Sequence, residues 1–559
     1  MVGLLWNHLG SEAPRGEGFR FLTPEYPTYF DGNFWNGYMD PQPLNEHEFL
    51  VSFGGAGGQK NRLYLLDSRG NQTCLWEEAG DLGCYNPLAL RPRKRPPVIP
   101  LTAPPDEFEY IDPVVAGICP NDSIQGTLAL YDVYEGLQGH VHRGEVKALQ
   151  IMELVPKTRP HTGGYAWNIS PLIGRGTFYV RRLIGTVPVE EDGSAHFTAP
   201  ALRDISFNAL DADGRVLQKM GSTTQILSGE KQSCIGCHEH RSVAPVPAAH
   251  RPLAAGRAPS TPARPDWGTG GIIDYCLVVQ PVWDEHCAKC HGGARPDGQL
   301  DLSGDKTRYF NMSYDMLIDR GFVHHLPQNG ADQDLTTPKG NGSLASRLVT
   351  GKYLEPDHYG VALSPDERQR VYTWIDANVP YYHTYLYTDG GVNGARDRWY
   401  DDLPDGWFQR NFAPVFMRRC YECHKRTVEI SDAWLGHRTV TVTSKVWTDI
   451  TIMDQGLQIE SSVAPFGPEY RINLTHPEWS QMLTAPLAKE SGGLGFCKDS
   501  TGKPIFRDAA DPDYRAMLGA MEKGRRMLEL NPRVDMLPRP DPMHPETYAP
   551  SLHRPRVMP

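Results

Sequence analysis

No stretch of eighteen apolar residues occurs in the 559-residue sequence, so no segment is built to cross a bilayer as a helix. Positive charge is also in short supply: 56 lysines and arginines stand against 67 aspartates and glutamates, a formal charge of −11. That balance disfavours nucleic acid and anionic membranes as partners and permits docking to basic proteins. The opening residues MVGLLWNHLG carry neither a basic n-region nor a sustained h-region followed by a small-residue cleavage site, so no signal peptide is expected in this chain. The length allows three or four domains, each able to bury its own core.

What the sequence does hold is Cys-x-x-Cys-His, three times over: Cys234 to His238, Cys287 to His291 and Cys420 to His424. With 11 Cys and 20 His in the chain, chance placement would give on the order of 0.01 such motifs, so composition does not explain them. The pentapeptide is the c-type haem attachment signature. Cys234 and Cys237, Cys287 and Cys290, and Cys420 and Cys423 would each add to the vinyl groups of one porphyrin, and His238, His291 and His424 would bind the irons. Three covalently attached haems c are therefore expected. The competing reading is zinc or a redox dithiol at one motif, but zinc ribbons pair their Cys-x-x-Cys units two by two and an odd number leaves one alone.

In bacteria, haem is joined to this motif outside the cytoplasm. A periplasmic or other extracytoplasmic location is expected, with the start of the chain truncated and its leader missing. Five cysteines stand outside the motifs: Cys74, Cys84, Cys119, Cys276 and Cys497. In an oxidising compartment Cys74 and Cys84 are a candidate disulfide, against the alternative of lone thiols.

The fold class expected is multidomain β plus α: a partial β-propeller-like meander, a β-sandwich-like middle domain and two helical cytochrome c-like modules. Residues 1–90 contain three short strands, Phe49 to Phe53, Arg62 to Leu66 and Thr73 to Trp76, separated by Gly-rich and Asp-Ser-Arg-Gly-Asn turns. Residues 114–242 read as a second β domain (TLALYDVY, EVKALQIMEL, GTFYVRRLIGTVPV) ending in the first motif. Glu190 to Gly193 and Asp211 to Gly214 are its hairpin turns. Residues 243–268 are a Pro- and Ala-rich linker. In residues 269–385, Val279, Val282 and Trp283 form a helical stripe leading into Cys287. Ser364-Pro365-Asp366-Glu367 combines an N-cap, a first-turn proline and a capping-box glutamate ahead of Val371, Trp374 and Ile375. Residues 404–559 repeat the entry, with Phe412, Val415 and Phe416 before Cys420. Helix starts are expected at Thr475 to Glu478 and Asp511 to Asp513, the second presenting Tyr514, Met517, Leu518 and Met521 on one face.

The sixth position on each iron decides between an electron carrier and a catalyst. For the second haem, His358 is chosen because it lies in the loop before the closing helix, with His324 and His325 as alternatives. For the third, His544 is preferred among His437, His476, Met543 and His544. For the first, no spacing rule chooses among His140, His142, His161, His240 and His250.

The phrases GTVPVEEDGSAHF, FNALDADGRVLQKMGS and SGEKQSCIGCHE, continuing through WDEHCAKCHG and WIDANVPYY, resemble proteins related to the hydrazine synthase alpha subunit, with a planctomycete-type cytochrome c segment, over roughly residues 48–385. That resemblance implies a β-propeller, whose final blade the N-terminal meander would be, a middle β domain with one haem, and a helical domain with a bis-His haem whose proximal ligand is His291. In the family's catalytic haem a tyrosine shortly after the motif binds iron and the motif histidine goes to zinc. Here Ser242 falls in that region, so the resemblance does not extend to hydrazine synthesis and His238 keeps its axial role. The third motif lies outside the family's two-haem plan. Electron transfer between redox partner proteins, with additional subunits allowed, is the function expected. The alternative is a haem-dependent oxidoreductase acting on a small nitrogen or sulfur compound at the first haem.

Overall fold

The computed structural model describes residues 3–5, 19–21, 38–54, 60–92, 124–137, 139–155, 173–174, 180–237, 251–267, 271, 273–307, 310–326, 336–383, 413–420, 423, 425–432, 436–443, 469–530 and 533–536. They form several small, mostly antiparallel sheets and a few helices, and among the described residues no sheet closes into a barrel. The chain divides into two compact units, one of residues 1–100, 240–246 and 430–438, the other of 101–239, 247–429 and 439–559.

In the first unit, β1 (Gly3–Leu5) pairs with β2 (Phe19–Phe21). Separately, β3 (Tyr38–Pro43), β4 (Glu48–Phe53), β5 (Arg62–Asp67) and β6 (Gln72–Trp76) form a four-stranded antiparallel meander. Sequence reading found the last three strands and missed β3. Its two prolines, Pro41 and Pro43, argue against a strand, yet at a sheet edge a missing N–H leaves no ladder bond broken. The core is small: Tyr38, Val51, Phe53 and Leu66, with Tyr38 stacked on Phe53 at 4.0 Å. The Cys74–Cys84 disulfide is not formed. Cys74 lies exposed on the edge strand β6 opposite Tyr64, its Sγ directed at the Trp76 carbonyl, while the Cys84 backbone N–H donates to the Asn61 carbonyl.

The second unit begins with a sandwich. One sheet has the order β10 (Ala195–Pro200), β7 (Gln125–Leu130), β13 (Lys231–Cys234); the other runs β12 (Val216–Lys219), β11 (Asp204–Leu210), β8 (Ala148–Leu154), β9 (Arg181–Pro188). Both sheets turn apolar side chains onto one core: Leu128, Leu130 and Phe197 from the first, Ile151, Ile184 and Ile205 from the second. The Asp211–Gly214 turn closes a true hairpin between β11 and β12. The Glu190–Gly193 turn differs from expectation. It has hairpin-like hydrogen bonds at its mouth, Glu190 N–H to the Ser194 carbonyl at 2.8 Å, but β9 and β10 then diverge into opposite sheets. A local turn signal fixes the chain reversal, whereas strand pairing is decided by which faces must be buried.

Beyond the sandwich, Asp274 caps a wide helical turn (Tyr275–Val279) that runs into α1 (Gln280–His286). Asn311 caps α2 (Met312–Asp319). Ser364 and Glu367 make the expected capping box on α3 (Pro365–Asp376), with Pro365 in its first turn. Trp283, Trp374, Tyr275, Tyr314, Tyr381 and Phe310 are fully buried between these elements. Their polar edges are satisfied inside the core: Trp283 Nε1–H donates to the Tyr275 hydroxyl and Trp374 Nε1–H to the Pro380 carbonyl, each at 2.9 Å. The sandwich holds this module through Val216 N–H to Ser343 Oγ, Lys339 N–H to the Leu217 carbonyl and Tyr381 N–H to the Ile173 carbonyl.

The last segment contains α4 (Ala413–Arg419), a two-stranded sheet of β14 (Lys425–Asp432) and β15 (Gly436–Thr443), and the 19-residue α5 (Pro512–Leu530). The α5 face carrying Tyr514, Met517 and Met521 is buried as its spacing predicted. The helix expected from Thr475 is only a 3-10 turn (Pro477–Trp479) followed by a short helical turn (Gln481–Thr484), since Ser480 between them is extended. Arg533 donates to the Thr307 and Phe310 carbonyls, and Asp535 accepts from the Tyr381 and Tyr382 hydroxyls, which ties this segment to the preceding module. Among the described residues no helix is long and apolar enough to cross a membrane.

Candidate functional site

The second motif is built by the end of α1. The Cys287 N–H closes the helix on the Trp283 carbonyl, and Cys290 and His291 both donate their N–H groups to the Cys287 carbonyl, at 3.1 and 2.8 Å. Cys287 is buried in the module core and Cys290 is exposed. Burial pushes the Cys287 thiol up to about 12, the reverse of the lowered value that makes a Cys-x-x-Cys pair a reactive dithiol. Gly292 is required by the turn: a Cβ there would lie 2.6 Å from the Ala288 carbonyl oxygen. The following backbone then folds back so that the Asp297 carbonyl meets His291 Nδ1 at 3.0 Å. A carbonyl can only accept, so Nδ1 carries the proton and Nε2 keeps its lone pair for a metal.

His358 stands opposite. It sits in a tight turn where Tyr359 and Gly360 adopt positive φ of 51° and 81° and Val361 N–H returns to the His358 carbonyl. Tyr353 packs edge-on against its ring. Burial and the neighbouring His291 lower the pKa of His358, which favours the neutral, coordinating imidazole. The two rings are within 11° of parallel with centroids 6.0 Å apart. This is no stacking contact: His476 and Trp479, which do stack in this molecule, are 3.8 Å apart. A separation of 6.0 Å leaves room between the rings for a metal ion, whose bonds to imidazole are about 2 Å. The residues present therefore fit a six-coordinate haem iron. Of the three candidates, His358 is the one whose ring lies parallel and close to that of His291; His324 lies near Lys219 instead, with its backbone N–H on Ser346 Oγ.

At the first motif, Cys234 ends β13 and the loop is fastened along the 131–135 segment: Tyr131 and Asp132 N–H donate to the Cys234 and Ile235 carbonyls, and Cys237 N–H to the Glu135 carbonyl. Both sulfurs lie against the sandwich core. A Cβ on Gly236 would come within 2.4 Å of the Glu135 carbonyl oxygen. Gly236→Ala is expected to cost about 1–3 kcal/mol of stability through overpacking, read by thermal melting. His238 lies outside the described residues, as do His161, His240 and His250. His140 and His142 are exposed.

At the third motif, α4 leads into Cys420, and Cys423 N–H reaches the Cys420 carbonyl at 3.1 Å, the same turn that Cys290 makes on Cys287. Arg418 and Arg419 pair with Asp513, and Arg419 also with Asp511, clamping the motif to the start of α5. Burial raises the Cys420 thiol to about 12. His424, Met543 and His544 lie outside the described residues; His437 is on β15, and His476 stacks on Trp479. Sequence reading missed the Asp297 carbonyl as the group that orients His291. Pro296-Asp297-Gly298 marks a turn, but no pattern says where its carbonyl will point.

Residues 144–239 match the family model described as the hydrazine synthase alpha subunit middle domain, so this part of the chain is similar to that domain. Among solved structures it is similar to hydrazine synthase of Kuenenia stuttgartiensis, with 18% identity and a TM-score of 0.47, over 66% of this chain and 57% of that one. The chain thus spans less than two thirds of that protein's length. No curated protein matches it.

Proposed function

We propose that the chain is an extracytoplasmic three-haem c-type cytochrome that moves electrons between redox proteins. The observation carrying this reading is the parallel His291–His358 pair at 6.0 Å. Haem iron supplies one-electron chemistry when bound. Cys287 and Cys290 would hold the porphyrin covalently, Asp297 would fix the His291 tautomer, and Tyr353 would keep the His358 ring in line. His291 and His358 would both hold the iron through imidazole, which would leave no coordination site for a substrate at the second motif and suits a relay. The Cys234–Cys237 and Cys420–Cys423 loops would hold the other two haems, and the net charge of −11 suits basic docking partners.

A second reading has its own support. The matched family domain ends on the first motif, so a haem-dependent oxidation or reduction of a small nitrogen or sulfur compound would take place there. Intact mass and a carbon monoxide difference spectrum of the reduced holoprotein, made in a maturation-competent host, decide between the readings. Three haem masses and no CO-reactive haem support the relay. One CO-reactive haem supports the enzyme. A bare polypeptide, or zinc on the paired thiols, overturns both.

A further inference from the structure

A second group of metal-ligating side chains lies beside the attachment loop of the second motif and takes no part in holding the axial histidines. His286 is the last residue of α1, immediately before Cys287, and Glu285 precedes it. Glu367 comes from the first turn of α3, 81 positions along the chain. One ligand atom from each of Glu285, His286 and Glu367 lies within 4.8 Å of the other two. His286 Nε2 and Glu367 Oε1 are 2.9 Å apart.

We propose that Glu285, His286 and Glu367 form a binding site for a divalent transition-metal ion of the zinc class, at the junction of α1 and α3.

The donor set is one imidazole and two carboxylates, the mixture that borderline cations such as Zn²⁺ accept, with remaining positions open to water. A tetrahedral ion with bonds of about 2 Å holds its ligand atoms roughly 3.3 Å apart. The His286–Glu367 pair is already near that spacing, and Glu285 needs only a rotamer change to close. Glu285 is exposed and makes no hydrogen bond or ion pair among the described residues, so nothing holds it back. Glu367 is already fixed: its Oε2 accepts from the Ser364 N–H and hydroxyl in the capping box, leaving Oε1 directed at His286. Among the described residues no lysine or arginine pairs with these carboxylates: Arg370 is engaged with Asp366 and Arg368 with the Leu363 carbonyl. Two carboxylates converging on one imidazole with no lysine or arginine paired to them among the described residues is a local excess of negative charge that a divalent ion would balance.

The rival is a plain clamp, in which the His286–Glu367 contact only pins α3 to the attachment loop. Glu285→Gln separates the two, because it leaves that contact and the capping box intact. Zinc chloride titrated calorimetrically into the purified chain is expected to show one equivalent whose affinity falls about tenfold or more in Glu285→Gln and in His286→Gln. Zinc is also expected to raise the melting temperature of the parent protein but not of Glu285→Gln. Isotherms and melting shifts that are the same in the parent and both variants overturn the proposal, since any zinc is then held elsewhere. The outcome does not depend on the function proposed above: the haem complement is read separately by mass.

Discussion

If the chain carries the three haems proposed above, replacing His358 with alanine is expected to turn one six-coordinate haem into a five-coordinate one while leaving every thioether link in place. His358 is half-buried, carries no part of the hydrophobic core and sits in a turn already closed by its own backbone hydrogen bonds, so the fold survives its loss. The intact mass is expected to be unchanged apart from the substitution. The reduced spectrum is expected to gain one CO-reactive haem, because the position opposite His291 is opened to ligands. His324→Ala, tested alongside, is expected to leave the spectrum unaltered, since His324 lies near Lys219 rather than opposite His291. A His358→Ala protein with the parent spectrum, or a His324→Ala protein with the CO-reactive haem, would remove His358 from the iron.

The largest stability effect is expected at Trp374. It is fully buried on α3, within 4.9 Å of the Tyr275 ring centroid, and donates to the Pro380 carbonyl. Truncation to alanine leaves a cavity among rigid aromatic rings and costs about 3–5 kcal/mol, a large part of the roughly 5–15 kcal/mol that holds a domain folded. Trp374→Phe keeps most of the volume but strands the Pro380 carbonyl, a smaller loss of about 1–3 kcal/mol. Denaturant unfolding followed by tryptophan fluorescence checks the order, parent above Phe above Ala. Because Trp374 and Cys287 share one core, Trp374→Ala is also expected to lower the haem attachment proposed for the second motif. Equal stability of parent and alanine variant would mean that this core is not what supports the site.

Much of the site was legible in the chain because its chemistry is local. Two thiols and an imidazole within five residues identify themselves, and Ser364-Pro365-Asp366-Glu367 announced the start of α3 because a capping box closes within one turn. Loop position points to His358, whose ring lies within 11° of parallel to that of His291 at 6.0 Å. Other features were hidden for stated reasons. Pro41 and Pro43 concealed β3, since a sequence does not say which strand will be an edge. The Cys74–Cys84 pairing failed because spacing along the chain carries no information on where two side chains point. The Glu190–Gly193 turn looked like a hairpin and is one only at its mouth.

By itself the sequence determined the inventory: three attachment motifs, an acidic balance, the caps of the helices, and the glycines at 236 and 292 that their turns demand. Tertiary structure decided the partnerships. His358 meets His291 from 67 positions away in the chain, Glu367 meets His286 from 81, and β9 and β10 part company although one turn joins them. The physical reason is range: hydrogen bonds of caps and turns close within a few residues and are written in order, whereas the burial of apolar faces acts through space and chooses its neighbours only once the whole chain has collapsed.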